Sequence, residues 1–212
     1  MLYPTEKLLL DGDIPVNCYI IQRDGECYIV DPGYEKEKIR KYVKDKGYNV
    51  KGILLTHAHI DHIEALDVFD VPVYLHEKEV PVLLDPALNG FDYFSKKPAY
   101  DAWVLDIRPL KDGDKLPVGK ENIEVIFTPG HTQGSVCYRI GHDIYTGDTL
   151  FENAVGRWDR PTADFENLRK SVLMLAERFP DYYLIHPSHG RSSTILQEKK
   201  YNPFLRSWGS NI

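Results

Sequence analysis

Three of the chain's eight histidines fall within six residues, in the string His57-Ala58-His59-Ile60-Asp61-His62. Neutral imidazole and carboxylate form the donor set expected for zinc, iron or manganese rather than for calcium or magnesium. Three further donors each stand just beyond an apolar, strand-like run: His131 after VIFTPG, Asp148 after IYTG and His189 after YYLIHPS. Loops at strand ends sit on a rigid scaffold, so donors far apart in sequence can converge there. Seven donors exceed what one tetrahedral ion can use and suit two. In an extended loop His57 and His59, two residues apart, point the same way, whereas Asp61 and His62 turn off at a helix start. That sorts His57, His59 and His131 onto one ion and Asp61, His62 and His189 onto a second, with Asp148 bridging. Two divalent ions are expected, zinc first, with iron or manganese as alternatives.

The elements that must position these donors alternate in kind along the chain. NCYIIQRDGECYIVDPG reads as two strands joined at Asp24-Gly25, a register that sets Cys27 opposite Gln22. Residues 35–46 carry Ile39, Tyr42 and Val43 at helical spacing and stop at Gly47. KGILLTHAHIDH is a buried strand running out into the histidine-rich loop, and VPVYLH is a strand followed by a helix from about Glu77. A second pass follows: NIEVIFTPGHT, SVCYRI and DIYTGD read as strands, the last two turning at Gly141-His142. Asp164 is an N-cap for a helix with Phe165, Leu168, Val172, Leu175 and Phe179 on one face. YYLIHPSHG is a last strand, and Thr194 to Gln197 opens a last short helix. Asp85 to Leu110 reads as loop. Strands followed by helices in two similar passes imply two packed sheets with helices outside.

The 212 residues, 42% hydrophobic and 27% charged, fit one globular domain spanning 1–212. The net charge of −6, with no basic stripe, argues against nucleic-acid binding. No apolar run reaches the roughly 20 residues of a membrane span, and the opening lacks a signal peptide's basic start. A cytoplasmic protein is expected, acting on a small molecule. Cys18, Cys27 and Cys137 are an odd number in apolar stretches and read as reduced packing residues. No GxSxG elbow supports a serine nucleophile. His76, His142 and His186 read as structural or surface residues, and Arg157 with Asp159 as a local ion pair.

DPG at 31–33, THAHIDH at 56–62, TPGHTQGS at 128–135, TGDTLF at 146–151, VGRWD at 155–159 and HPSHGRSST at 186–194 together resemble the metallo-β-lactamase superfamily. Within it, the chain is similar to short glyoxalase II-like hydrolases, the tail KKYNPFL included. The resemblance implies a four-layer αββα sandwich of two similar halves, with the metal site at strand ends and the ligand sorting given above. It implies hydrolysis of a thioester of the hydroxyacyl-glutathione kind, or a related ester, by a hydroxide shared between two metals, which lower the pKa of water to about 7. Asp61 is expected to orient that nucleophile, and Asp31 to support a ligand histidine from behind. Family members often have glycine where Ala58 and Ser188 stand. WDRPTAD replaces a smaller, glycine-rich segment, which makes Trp158 and Arg160 the candidate substrate-binding residues. Full glyoxalase II enzymes add a C-terminal helical region that this sequence lacks, so weaker glutathione selectivity is expected. The alternative is a mononuclear iron persulfide dioxygenase, which would use only His57, His131 and Asp148.

Overall fold

The structure, a computed structural model, describes residues 5–209. Residues 1–4 and 210–212, the two ends of the expected 1–212 domain, lie outside the described residues.

The first half begins with a meander of β1 (Glu6–Leu10), β2 (Val16–Arg23) and β3 (Glu26–Val30). β2 and β3 turn at Asp24 and Gly25, both at positive φ (51° and 84°), as a two-residue hairpin loop requires, and Gln22 pairs with Cys27. Helix α1 (Lys36–Lys46) ends at Gly47, in the left-handed region at φ 68°, and delivers the chain to β4 (Asn49–Leu54) beside β3. After a one-turn helix α2 (Ile60–Ile63) come β5 (Val73–His76), α3 (Val80–Leu84), α4 (Pro86–Asn89) and β6 (Ile107–Leu110). The six strands lie in sequence order, β3 to β6 parallel.

The second half repeats the plan. β7 (Lys115–Val118), β8 (Glu121–Phe127), β9 (Val136–Ile140) and β10 (Asp143–Gly147) form an antiparallel run. A small hairpin, β11 (Leu150–Phe151) and β12 (Ala154–Val155), precedes α5 (Phe165–Arg178). The helix returns the chain to β13 (Leu184–Pro187), parallel to β10, with β14 (Ser193–Thr194) at the edge and α6 (Ile195–Tyr201) and α7 (Pro203–Trp208) outside. Asp164 caps α5 by accepting from Asn167 N at 2.7 Å, and Thr194 caps α6 by accepting from Gln197 N at 3.0 Å.

Side-chain alternation decides the layers. Along β2, Cys18 and Ile20 face Ile39 and Val43 of α1, while Tyr19 and Ile21 face the other sheet. Along β8, Val125 points between the sheets and Ile126 toward Val172 and Leu175 of α5. Both faces of each central strand are therefore covered, and β2 reads as one apolar run because neither face meets water. Three apolar layers separate four structural ones, giving the αββα sandwich. Val172 and Leu175 are fully buried, worth about 1.5–3 kcal/mol each.

Two expectations are corrected. Asp85 to Leu110 is not wholly loop: it contains α4, a single 3-10 turn at Ala102–Val104, and the edge strand β6, whose Pro109 hides the strand pattern. Phe165 does not share the buried face of α5; it is 38% exposed and packs on Trp158 and Trp208. The three cysteines are buried and unbridged.

Candidate metal centre

All seven sequence-predicted donors meet at one edge, where the two sheets' loops come together. His57 and His59 leave the end of β4, and Asp61 and His62 sit on α2. The second half sends His131 from the β8–β9 connection, Asp148 from the end of β10 and His189 from the loop after β13. Two clusters form within this group, and a third set, His57, His62 and Asp148, overlaps both. His59 Nδ1 stands 3.1 Å from His57 Nε2 and 2.9 Å from His131 Nε2. Asp61 Oδ2 stands 3.4 Å from His62 Nε2 and 3.2 Å from His189 Nε2. Asp148 faces both: Oδ1 lies 3.6 Å from His62 Nε2 and 3.5 Å from His189 Nε2, and Oδ2 lies 3.6 Å from His131 Nε2.

These spacings can be tested against an ion. Tetrahedral zinc about 2.0–2.1 Å from each nitrogen would set the donors about 3.3 Å apart. The observed separations bracket that value. His62 Nε2 and Asp148 Oδ1 are buried and have no hydrogen-bond partner, a costly arrangement unless a cation binds them. The residues present fit two ions.

Four of the five imidazoles have a polar neighbour at the outward nitrogen, and for His131 and His189 a carbonyl acceptor there fixes the tautomer. His131 Nδ1 donates to Arg157 O at 2.8 Å, and His189 Nδ1 to Pro15 O at 2.8 Å. His62 Nδ1 stands 3.0 Å from Asp31 Oδ2, and His57 Nδ1 is 3.2 Å from Thr56 Oγ1. A proton held on Nδ1 leaves the Nε2 lone pair facing the centre. Asp31 also accepts from Thr56 N at 2.8 Å, Thr56 Oγ1 at 2.7 Å and Ser188 Oγ at 3.1 Å. Asp31 thus stands behind His62, on the side away from Asp61 and Asp148. Gly33 lies so close that an added Cβ would sit 1.9 Å from Asp61 O, so only glycine permits that approach.

Charge follows burial. Burial and the neighbouring imidazoles hold His57 and His59 well below the usual histidine range, and burial lowers His131 too. These three are neutral donors. Burial also opposes charge on His62, but Asp61 and Asp31 outweigh it and raise that imidazole. Asp61 is held low by His62 and His189 against the push of burial. The same carboxylates that favour positive charge on His62 would favour a cation bound among these groups.

A cavity of about 470 Å³ opens over the centre. Its apolar wall includes Ile14, Leu88, Phe94, Phe151 and Val155, and Arg157 and Arg160 stand at one side. The Arg160 guanidinium lies 4.5 Å from the Tyr93 ring centroid. Arg157 is tied to Asp159 at 2.8 and 2.9 Å, the expected local pair. Trp158 does not line the cavity. It packs against Phe165 and Phe204, because its side chain turns toward the α5–α7 surface, so its expected role as a cover for substrate is corrected. Of the remaining histidines, His76 stacks on Phe127, His142 packs beside Tyr182 and Tyr183, and His186 bonds Asp143 and Ser192.

Sequence reasoning missed Glu79 and Tyr93. Glu79 is fully buried and accepts three hydrogen bonds from the metal-facing loops, yet in the string HEKEVPV it reads as one more surface charge. Tyr93 lies in the segment that had no periodicity to read.

Comparison with known proteins agrees with the fold. A family model described as the metallo-beta-lactamase superfamily matches residues 11–189. The probable metallo-hydrolase YqgX of Bacillus subtilis is 38% identical, covering 93% of this chain and 95% of that one. Hydroxyacylglutathione hydrolase GloC of Haemophilus influenzae is 33% identical, covering 90% and 93%. Among solved structures, BLEG-1 B3 metallo-beta-lactamase superposes with a TM-score of 0.87 at 36% identity, covering 95% of this chain and 99% of its own. TTHA1623 in a di-iron-bound form gives 0.84 at 33% identity, covering 94% and 99%.

Proposed function

The chain belongs to the metallo-β-lactamase superfamily, and on that premise we propose that it is a two-metal hydrolase of thioesters of the hydroxyacyl-glutathione kind, or of related esters. The observation that carries the reading is the pair of donor clusters joined by Asp148 beneath an open, largely apolar cavity. The likeness to the Haemophilus hydroxyacylglutathione hydrolase supports the thioester class. His57, His59 and His131 would hold one ion, and Asp61, His62 and His189 the other, with Asp148 facing both. Zinc suits this donor set first; the di-iron form of a relative makes iron the next candidate.

When bound, the two ions supply an activated water and a Lewis acid for the carbonyl oxygen. The chain's own residues do the rest. Asp61 lines the cavity, and its carboxylate accepts a hydrogen bond from the attacking water and so aims it. Asp31 holds the His62 ring, and the carbonyls of Pro15 and Arg157 hold His189 and His131, so the donors need no reorientation during turnover. Outside the metal-facing set, the cavity's only ionisable protons among the described residues belong to Tyr93 and two arginines. A thiolate leaves without a strong general acid, since a free thiol has a pKa of about 8.5, and this favours thioesters over amides. Arg160 is the substrate-binding residue in this reading, placed to pair with a carboxylate beside the apolar wall.

A mononuclear dioxygenase would use His57, His131 and Asp148 and leave Asp61, His62 and His189 facing one another over no ion. Metal analysis of protein purified without chelator, with a panel of thioesters, lactones and phosphodiesters, tests the proposal. The expected result is about two ions per chain and preferential thioester turnover that chelation removes. One tightly bound iron with oxygen uptake on a persulfide would refute it, as would fast phosphodiester cleavage without thioester turnover.

A further inference from the structure

Two buried carboxylates stand behind the donors, and they do different jobs. Asp31 reaches both clusters: it faces His62 directly and holds Thr56, the neighbour of His57, and Ser188, the neighbour of His189. Glu79 reaches only one. Its Oε1 accepts from Ala58 N at 2.9 Å, and Ala58 separates His57 from His59. Its Oε2 accepts from Thr132 Oγ1 at 2.8 Å and from Gly134 N at 2.9 Å, and Thr132 follows His131. The three histidines of one cluster therefore come from two loops, drawn from different halves of the sandwich, that share a single fully buried carboxylate. Gly134 is part of the fit: a Cβ there would lie 2.5 Å from Glu79 Oε2 and from Glu79 N. No hydrogen bond joins Glu79 to Asp61, His62 or His189 among the described residues.

We propose that Glu79 is the positioning residue of the His57–His59–His131 site, tying Ala58 to Thr132 and Gly134 so that this site depends on it and the Asp61–His62–His189 site does not. The inference rests on the two-metal reading but not on which substrate is cleaved. The physical basis is that histidine donors on loops bind an ion tightly only when something outside the ion fixes their separation. Thr56 and the Arg157 carbonyl hold His57 and His131 singly, and the fixture that ties their two loops together is one carboxylate with three donors. Removing part of it lets the loops drift apart, and the loss falls on the histidines they carry.

The test is site-resolved zinc titration of chelator-treated protein, followed through the imidazole nitrogen resonances of the five histidines. Glu79→Gln keeps the volume and one acceptor oxygen, and Thr132→Val removes one donor. In Glu79→Gln, zinc affinity reported by His57, His59 and His131 is expected to fall about 10–100-fold, while that reported by His62 and His189 shifts less than about threefold. Thr132→Val is expected to show the same asymmetry at smaller size. Equal loss at both sites would make Glu79 a general packing residue and overturn the proposal, and so would unchanged affinity at the three-histidine site. Because the readout is equilibrium binding, absent thioester turnover would refute the hydrolase reading while leaving this result standing.

Discussion

Arg160→Gln separates a substrate-binding arginine from a merely neighbouring one. The guanidinium is half-buried at the cavity wall, held over Tyr93, and no carboxylate pairs with it among the described residues. A charge-assisted hydrogen bond is worth about 1.5–3 kcal/mol, and partial exposure takes the lower part of that range. At about 1.4 kcal/mol per factor of ten, the expected loss is about tenfold in kcat/KM for a substrate carrying a carboxylate. The assay compares adipoyl and hexanoyl thioesters of N-acetylcysteamine, which differ only in a terminal carboxylate. Wild type should favour the adipoyl ester, the preference should shrink as ionic strength rises, and Arg160→Gln should abolish it, mainly through KM. If the ratio of the two kcat/KM values is the same in wild type and variant, Arg160 does not read the substrate.

Three further outcomes are expected. Asp148→Ala removes a carboxylate that faces both clusters directly, so activity should fall by at least about a thousandfold and metal content toward one ion, read by elemental analysis. Cys137→Ser should leave metal content and turnover nearly unchanged, because the thiol is buried in the apolar layer under α5, near Thr128 and the Thr146 carbonyl, and a hydroxyl finds the same partners. Glu79 sets a pH dependence in the metal-free protein. Burial, against three donated hydrogen bonds, pushes its carboxyl up from 4.5 to about 7. Between those values the folded state binds more protons than the unfolded one, so stability falls as pH rises. Glu79→Gln lacks this titration, so urea unfolding should show its stability rising relative to wild type by up to about 3 kcal/mol from pH 4.5 to 7. A constant difference across that range would contradict the assignment.

The donors were legible because their chemistry is local: HAHIDH is six consecutive residues, and His131, Asp148 and His189 each follow a strand whose apolar run is unmistakable. Central strands such as β2 and β9 were legible for the same reason, being buried on both faces. β1, β6 and β7 were not, since an edge strand is half-exposed and tolerates residues such as Pro109 and Pro117. Trp158 was misread because sequence places it beside the site without saying which way the ring turns. Glu79 was invisible because its donors, Ala58 N, Thr132 Oγ1 and Gly134 N, lie 21 to 55 residues away. A carboxylate's burial is a tertiary fact, and nothing in its own neighbourhood announces it.

The donors enter from both halves: four from the loop after β4 and its helix, three from the loops after β8, β10 and β13. Ions bound there would act as rivets across the seam between the sheets. A ligand that binds only the folded state adds about 2.7 kcal/mol when present at a hundred times its dissociation constant, and two such ions add more. Starving the cell of metal would then strip away more than catalysis. It would raise the fraction of chains with an opened seam, which proteases can cut, so the abundance of the protein would follow the metal supply.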